Sequence, residues 1–245
     1  MTTLMFALFA LTTDALAMTP QEVMEQAQEA NAVTSSIQKV EMTIVSKSGS
    51  ERKRSMDMKV KKKGDVRMTL AEVTAPSDEA GTKLLLVDNP GKVDEQLFYL
   101  PSTKQTMRVS GKARKGAFLG SDFAYEDFEL DPKTGEHTMV EETEAHWVID
   151  TDPGEDSQYG RLRSTVDKES KVAKKVEFFD KKNEALKVLE VVEIVTESGK
   201  NLARRTEMKN LKKGSKTVMK VLEQRVDVAD EELPDEAFTK AAMER

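Results

Sequence analysis

Apolar and charged residues alternate through most of the chain. Val40, Met42 and Ile44 alternate with Glu41 and Thr43, and Met56, Met58 and Val60 with Asp57, Lys59 and Lys61. Val66, Met68 and Leu70 alternate in the same way with Arg67 and Thr69. A period of two predicts strands, and one apolar face against one charged face predicts an antiparallel sheet packed on a single side, its outer face in water. Similar segments follow at Leu84–Val87, Gln96–Leu100, Thr106–Val109, Met139–Thr143, Trp147–Thr151, Arg161–Val166, Val172–Phe179, Leu186–Val195, Leu202–Met208 and Thr217–Val228. Turn residues at Gly49, Gly64-Asp65, Asn89-Pro90-Gly91, Pro132 to Gly135, Asp152-Pro153-Gly154, Ser198-Gly199 and Lys213-Gly214 make sequential hairpins the expected order. About eleven to thirteen up-and-down strands must close, split into a sandwich or curl around a filling, and curling is the expectation.

One helix precedes the strands. Thr19 and Glu22 form a capping-box pattern, Pro20 occupies a first-turn position, and Val23, Ala27 and Ala30 share a face, with the end expected near Asn31. The segment from Phe118 to Phe128 breaks the alternation: it holds four of the thirteen aromatic residues in eleven positions, after a basic run containing Lys112, Arg114 and Lys115. A short helical turn capped by Ser121 or Asp122 is expected, with Phe118, Leu119, Phe123, Tyr125 and Phe128 covering something apolar. Such a segment is either a movable lid pivoting at Gly116 and Gly120 or a fixed plug over one end of the sheet. Asp122, Glu126 and Asp127 read most simply as its capping and solvent-facing acids.

Composition narrows the function classes. In 245 residues, 38% hydrophobic and 33% charged content fits one domain with a core, and a net charge of −6 gives no reason to expect nucleic acid. Leu4–Leu11 is an apolar run too short to span a bilayer, and Ala15-Leu16-Ala17 is a small-x-small cleavage pattern, although Met1-Thr2-Thr3 lacks a basic residue. Residues 1–17 are therefore expected to be a signal peptide and 18–245 the exported domain. The chain has no cysteine, which removes disulfides, thiol catalysis, thiolate metal sites and a lipidation cysteine. Its two histidines, His137 and His146, have no metal-site spacing, and no Gly-x-Ser-x-Gly elbow is present, so neither a metal, a cofactor nor catalysis is expected.

Specific motifs go further. Leu97-Phe98-Tyr99-Leu100-Pro101, Thr106-Met107-Arg108-Val109 and Phe118 to Asp127 resemble the hallmark stretch of the outer-membrane lipoprotein-sorting protein family, relatives of the periplasmic carrier LolA. Gly81 to Leu86, Tyr159 leading to Val166, Phe178-Phe179-Asp180, Leu186 to Leu189 and Leu233-Pro234-Asp235-Glu236-Ala237-Phe238-Thr239 resemble later landmarks, so the likeness runs from about Ser36 to the end. The resemblance implies an incompletely closed barrel of about eleven antiparallel strands with a helical lid over a hydrophobic cavity. It also implies a monomeric periplasmic carrier of lipid or lipoprotein acyl chains, in transient membrane contact and serving an RND-type inner-membrane exporter as its partner. A sensor or adaptor using the same barrel for protein recognition is the alternative.

Candidate cavity and lid residues are Met42, Met56, Met58, Met68, Leu70, Leu84, Leu86, Tyr99, Met107, Phe118, Leu119, Phe123, Tyr125, Phe128 and Trp147. The strand methionines serve either as gap filler in a solid core or as an adaptable ligand surface, and the resemblance favours the second. Arg52, Arg54, Lys59, Lys61 and Lys63, with Lys53 and Lys62, form a basic stripe that is either a solvated face or a docking surface for anionic headgroups or an acidic partner. In the well-studied carrier an arginine ties the lid to the barrel, and Arg67 and Arg108 are the candidates for that role.

Overall fold

The computed structural model describes residues 18–89, 94–130 and 134–245, so the leader expected at 1–17 lies outside the described residues, as do parts of the turns expected near Pro90 and Pro132. The helix α1 (Pro20–Ala30) starts at the Thr19 capping box and ends at Asn31. Its buried residues are Val23 and Met24, while Ala30 is exposed, so the apolar face is turned slightly from the expected one.

Thirteen strands follow: β1 (Ser35–Val45), β2 (Glu51–Lys63), β3 (Val66–Ala75), β4 (Lys83–Asp88), β5 (Glu95–Leu100), β6 (Gln105–Arg108), β7 (Glu136–Glu142), β8 (His146–Asp152), β9 (Tyr159–Asp167), β10 (Ala173–Asp180), β11 (Ala185–Glu197), β12 (Lys200–Asn210) and β13 (Ser215–Val226). A short helix, α2 (Lys240–Met243), ends the chain. All strands belong to one antiparallel sheet, ordered β6-β5-β4-β3-β2-β1-β13-β12-β11-β10-β9-β8-β7. The count exceeds the eleven implied by the resemblance because each alternating segment forms its own strand. Two meanders meet where β1 pairs with β13, from Ser36 opposite Val226 to Val45 opposite Lys216. The outermost strands, β6 and β7, are consecutive in the chain but lie at opposite ends of the sheet, and residues 109–135 connect them.

The sheet curls around that connection. Met42 of β1, Met56 of β2, Leu84 of β4, Tyr159 of β9, Phe178 of β10 and Met208 of β12 share one buried cluster with Phe118 and Phe123. Strands so far apart in the order reach the same side chains only if the sheet is concave on this side. At the β8–β9 end, α1 lies on the same face, with Val23 and Met24 against Trp147, Ile149 and Val166. Asn31 anchors its end, donating to Ser170 O at 2.9 Å and accepting from the Asn201 N–H at 2.8 Å.

The convex face is not uniformly in water. Leu70, Leu85, Leu97 and Tyr99 pack beneath Leu233, Phe238 and Met243 of the C-terminal segment. Alternation along a strand cannot distinguish a solvated second face from one covered by a remote segment, because the covering residues lie far away in sequence. Among the described residues no helix is long and apolar enough to cross a membrane.

Candidate functional site

The aromatic connection consists of three tight turns, Gly111–Lys115, Phe118–Gly120 and Tyr125–Phe128. Their geometry is set by a narrow loop in which the Phe118 N–H donates to Phe123 O at 2.8 Å and the Tyr125 N–H to Gly116 O at 3.1 Å. Leu119 and Gly120 take positive φ values of 48° and 67°, which turn the chain back on itself. Only Gly120 does so without a side-chain penalty. Neither Ser121 nor Asp122 caps the last turn: Asp127 does, accepting from the Ala124 N–H at 2.7 Å.

Four rings form a continuous cover. Phe118 meets Tyr125 and Phe128 edge-on, with centroids 5.6 and 5.2 Å apart, and Phe123 stacks on Phe128 at 5.8 Å. Tyr125 also meets Phe98 of β5 edge-on at 5.8 Å, and its carbonyl accepts from Gln96 Nε2 at 3.1 Å. These contacts favour one ring arrangement beyond the gain from burying apolar area.

The acids of this segment are buried, contrary to the solvent-facing role expected for them. Asp122 accepts from Ser215 Oγ at 2.6 Å and from Thr217 Oγ1 at 2.9 Å. Glu126, only 2% exposed, accepts from Ser157 Oγ, the Gln158 N–H and Gln158 Nε2. Asp127 accepts from Tyr159 Oη at 2.6 Å and from Lys187 Nζ at 2.5 Å. Burial pushes the Lys187 ammonium below its ordinary pKa against the pull of Asp127, and burial followed by the Asp127 charge pushes the Tyr159 phenol upward. Lys187 also lies 4.9 Å from the centroid of Phe178 and 5.2 Å from that of Tyr159. Sequence reasoning missed this network because its donors lie on remote strands. A lysine beside the apolar Leu186 and Val188 was its faint signal.

On the other side, besides the Gln96 and Phe98 contacts of β5, attachment is slight. The Arg52 guanidinium donates to Gly120 O at 3.5 Å, a long contact. Neither arginine expected to tie the lid does so: Arg108 reaches Asp94 O at 3.5 Å, and Arg67 points into the concavity.

Beneath the cover lie two spaces. One, of about 260 Å³, is lined by Met56, Met58, Leu84, Leu86, Phe118, Phe128 and Met219, with Gln38, Arg67 and Thr69 among its polar neighbours. Another, of about 400 Å³, lies between α1, residues 126–130 and strands β8–β11, lined by Met24, Ala27, Leu130, Leu162, Val176, Phe178 and Leu189 with several polar groups. Met42 is fully buried between these regions, and Leu119, Phe123 and Tyr125 pack against the same core. Met68, Leu70 and Tyr99 lie on the convex side, under the C-terminal segment. Trp147 is buried under α1, and Met107, on edge strand β6, is 45% exposed.

The basic stripe divides between the two faces. Arg54 is buried and forms a forked pair with Glu79. Lys61, also buried, donates to Leu233 O at 2.8 Å and pairs with Asp235 at 2.8 Å and Asp230 at 3.1 Å, while Lys63 joins it on Asp235. Lys59 is half-buried on the same strand, and Lys53 lies 3.7 Å from Glu41. Much of this charge is thus engaged within the molecule.

Comparison with known proteins agrees with this architecture. A family model described as a "-like" uncharacterized protein matches residues 65–245. No curated protein matches the chain. A Vibrio parahaemolyticus structure, described as an outer membrane lipoprotein-sorting protein domain, is 25% identical over 92% of this chain and 98% of its own, with a TM-score of 0.85. A DUF1329 family protein from Desulfovibrio piger is 22% identical, covering 91% of this chain and 97% of its own, also at 0.85. A LolA superfamily protein from Nitrosomonas europaea, 20% identical over 92% of this chain and all (100%) of its own, has a TM-score of 0.71 and shares the fold. By its match over residues 65–245 the chain belongs to the family of that model, and its curled sheet under an aromatic cover shares the fold of the lipoprotein-sorting and LolA superfamily structures.

Proposed function

We propose that this protein is a periplasmic carrier or chaperone that shelters the acyl chain of a lipid or lipoprotein beneath its aromatic cover. The supporting observation is the pair of apolar-lined spaces, about 260 and 400 Å³, under one shared segment. A chain of about sixteen methylene-sized groups costs on the order of 13 kcal/mol to hold in water at about 0.8 kcal/mol each, so a carrier must offer a comparable apolar surface. Met56, Met58 and Met219 suit cargo of varying shape, because an unbranched thioether side chain repacks at small cost.

Release requires a cover that opens. The segment is bound to β9, β11 and β13 through Asp122, Glu126 and Asp127, whereas on the other side it meets Gln96 and Phe98 of β5 and makes a long Arg52 contact towards β2. In this reading it swings on the first side and parts from the second. The carrier role is binding, not catalysis, and the acids of the segment serve attachment. Residues 18–245 act as one exported domain after removal of 1–17. A monomeric state, transient membrane contact through the uncompensated part of the basic stripe and an RND-type transporter as partner belong to the same reading, supported by the family resemblance.

Native mass spectrometry and lipid extraction on protein recovered from the periplasm of its host test this directly. Near-stoichiometric lipid is the expected result. Lipid-free protein holding a protein partner would replace the carrier with the adaptor.

A further inference from the structure

The methionine-rich space is apolar except where Gln38, Arg67 and Thr69 line it. Side chains on β2 alternate so that Met56, Met58, Val60 and Lys62 share a face, and β3 places Arg67 directly opposite Lys62, on the face that carries Ala71 and Val73 into the core. Gln38 of β1 stands opposite Met58 on one side and Gln224 of β13 on the other. Arg67 and Gln38 line both the methionine-rich space and an adjoining one of about 240 Å³ that reaches Gln224 and the end of α1. Arg67 and the Gln38 amide therefore stand where the two spaces adjoin, with Gln224 lining the second.

Two like charges directly opposite across a strand pair destabilise a sheet unless an anion lies near them. Asp88, opposite Arg67 on β4, acts on it electrostatically. The guanidinium is reachable by solvent, yet enough protein surrounds it that burial moves its pKa below the ordinary arginine value. Arginine's planar fork suits two parallel hydrogen bonds to an oxyanion, and a partly desolvated one gains most from such a ligand.

We infer that Arg67, with the Gln38 and Gln224 amides, forms a headgroup site, so that the cargo is an amphiphile whose acyl chain ends in an anionic oxygen group, carboxylate or phosphate. This rests on the carrier reading above and adds the class of cargo. The chain lies among Met56, Met58 and Leu86, and its head stops at Arg67.

Affinities of the mature protein for oleate, oleoyl lysophosphatidate and neutral monooleoylglycerol, measured at mildly alkaline pH, test the inference. At least one anionic ligand should bind about ten- to a hundredfold more tightly than the neutral one, the range expected of a charge-assisted contact. Arg67→Gln should abolish that preference while keeping neutral affinity, and Arg67→Lys should retain part of it. Whichever anion binds more tightly identifies the head as carboxylate or phosphate. Equal binding of all three, or a preference that survives Arg67→Gln, overturns the headgroup site and leaves the carrier standing. Binding of none overturns both.

Discussion

Lys187 and Asp127 hold the aromatic cover to the sheet as a nearly fully buried pair, which places an ion pair where its loss is most costly. Removing one partner leaves the other charged, desolvated and short of donors or acceptors. Lys187→Met is expected to destabilise the protein by about 3–5 kcal/mol in chemical denaturation. With Asp127→Asn added, the double variant should lose less than the sum of the single ones, as contacting residues couple. At Phe118, truncation has a different signature. Its ring touches Tyr125 and Phe128 and lines the methionine-rich space, so Phe118→Ala should weaken binding of an apolar fluorescent probe more than it lowers the melting temperature. Unchanged binding at reduced stability would mark the segment as a fixed plug.

At the scale of elements, the cover and the C-terminal segment are both non-strand pieces laid on a sheet, one on each face. The cover's two sides are unequally attached, so Arg52→Ala should leave the unfolding midpoint nearly unchanged and accelerate ligand exchange in stopped-flow experiments. The C-terminal segment is fastened by Asp235, whose carboxyl is held down to about 2 by hydrogen bonds from Lys61 and then Lys63. A carboxyl with a lowered folded-state pKa contributes stability that is complete above its unfolded value near 3.8 and is lost as pH falls through about 2. Protection of the amides across residues 233–243, taken relative to their intrinsic exchange rates, should therefore fall as pH drops through that window, and Asp235→Asn should remove this pH dependence. Lys61 looked like any solvent-facing lysine in the alternating pattern. Only the return of Leu233 and Asp235 to β2 makes it a buried anchor.

For the whole molecule, the strands were legible because each carries its own period of two, and the helix because its capping box is local. Strand order, the covered convex patch and the buried acid network were not, since each depends on residues far apart in sequence. The likeness of Leu97–Pro101 and Phe118–Asp127 to known relatives revealed the concavity, which alternation alone leaves open. The two apolar spaces also set a global expectation. A ligand that binds only the folded protein, at about 100 times its dissociation constant, should add about 2.7 kcal/mol of stability. A matching rise in melting temperature with ligand concentration would register it.

The seam between β1 and β13 joins the first strand of the chain to the last, at the middle of the sheet. Each meander can zip up by short-range hairpins, but their union must await the final strand, at the high entropic cost of a long-range closure. An emerging chain thus lacks its central pairing until nearly all of it has been delivered. Under the export proposed above, through a translocation channel as an extended thread, such a late seam acts as a built-in delay, keeping the concave receptacle from forming before the chain has crossed.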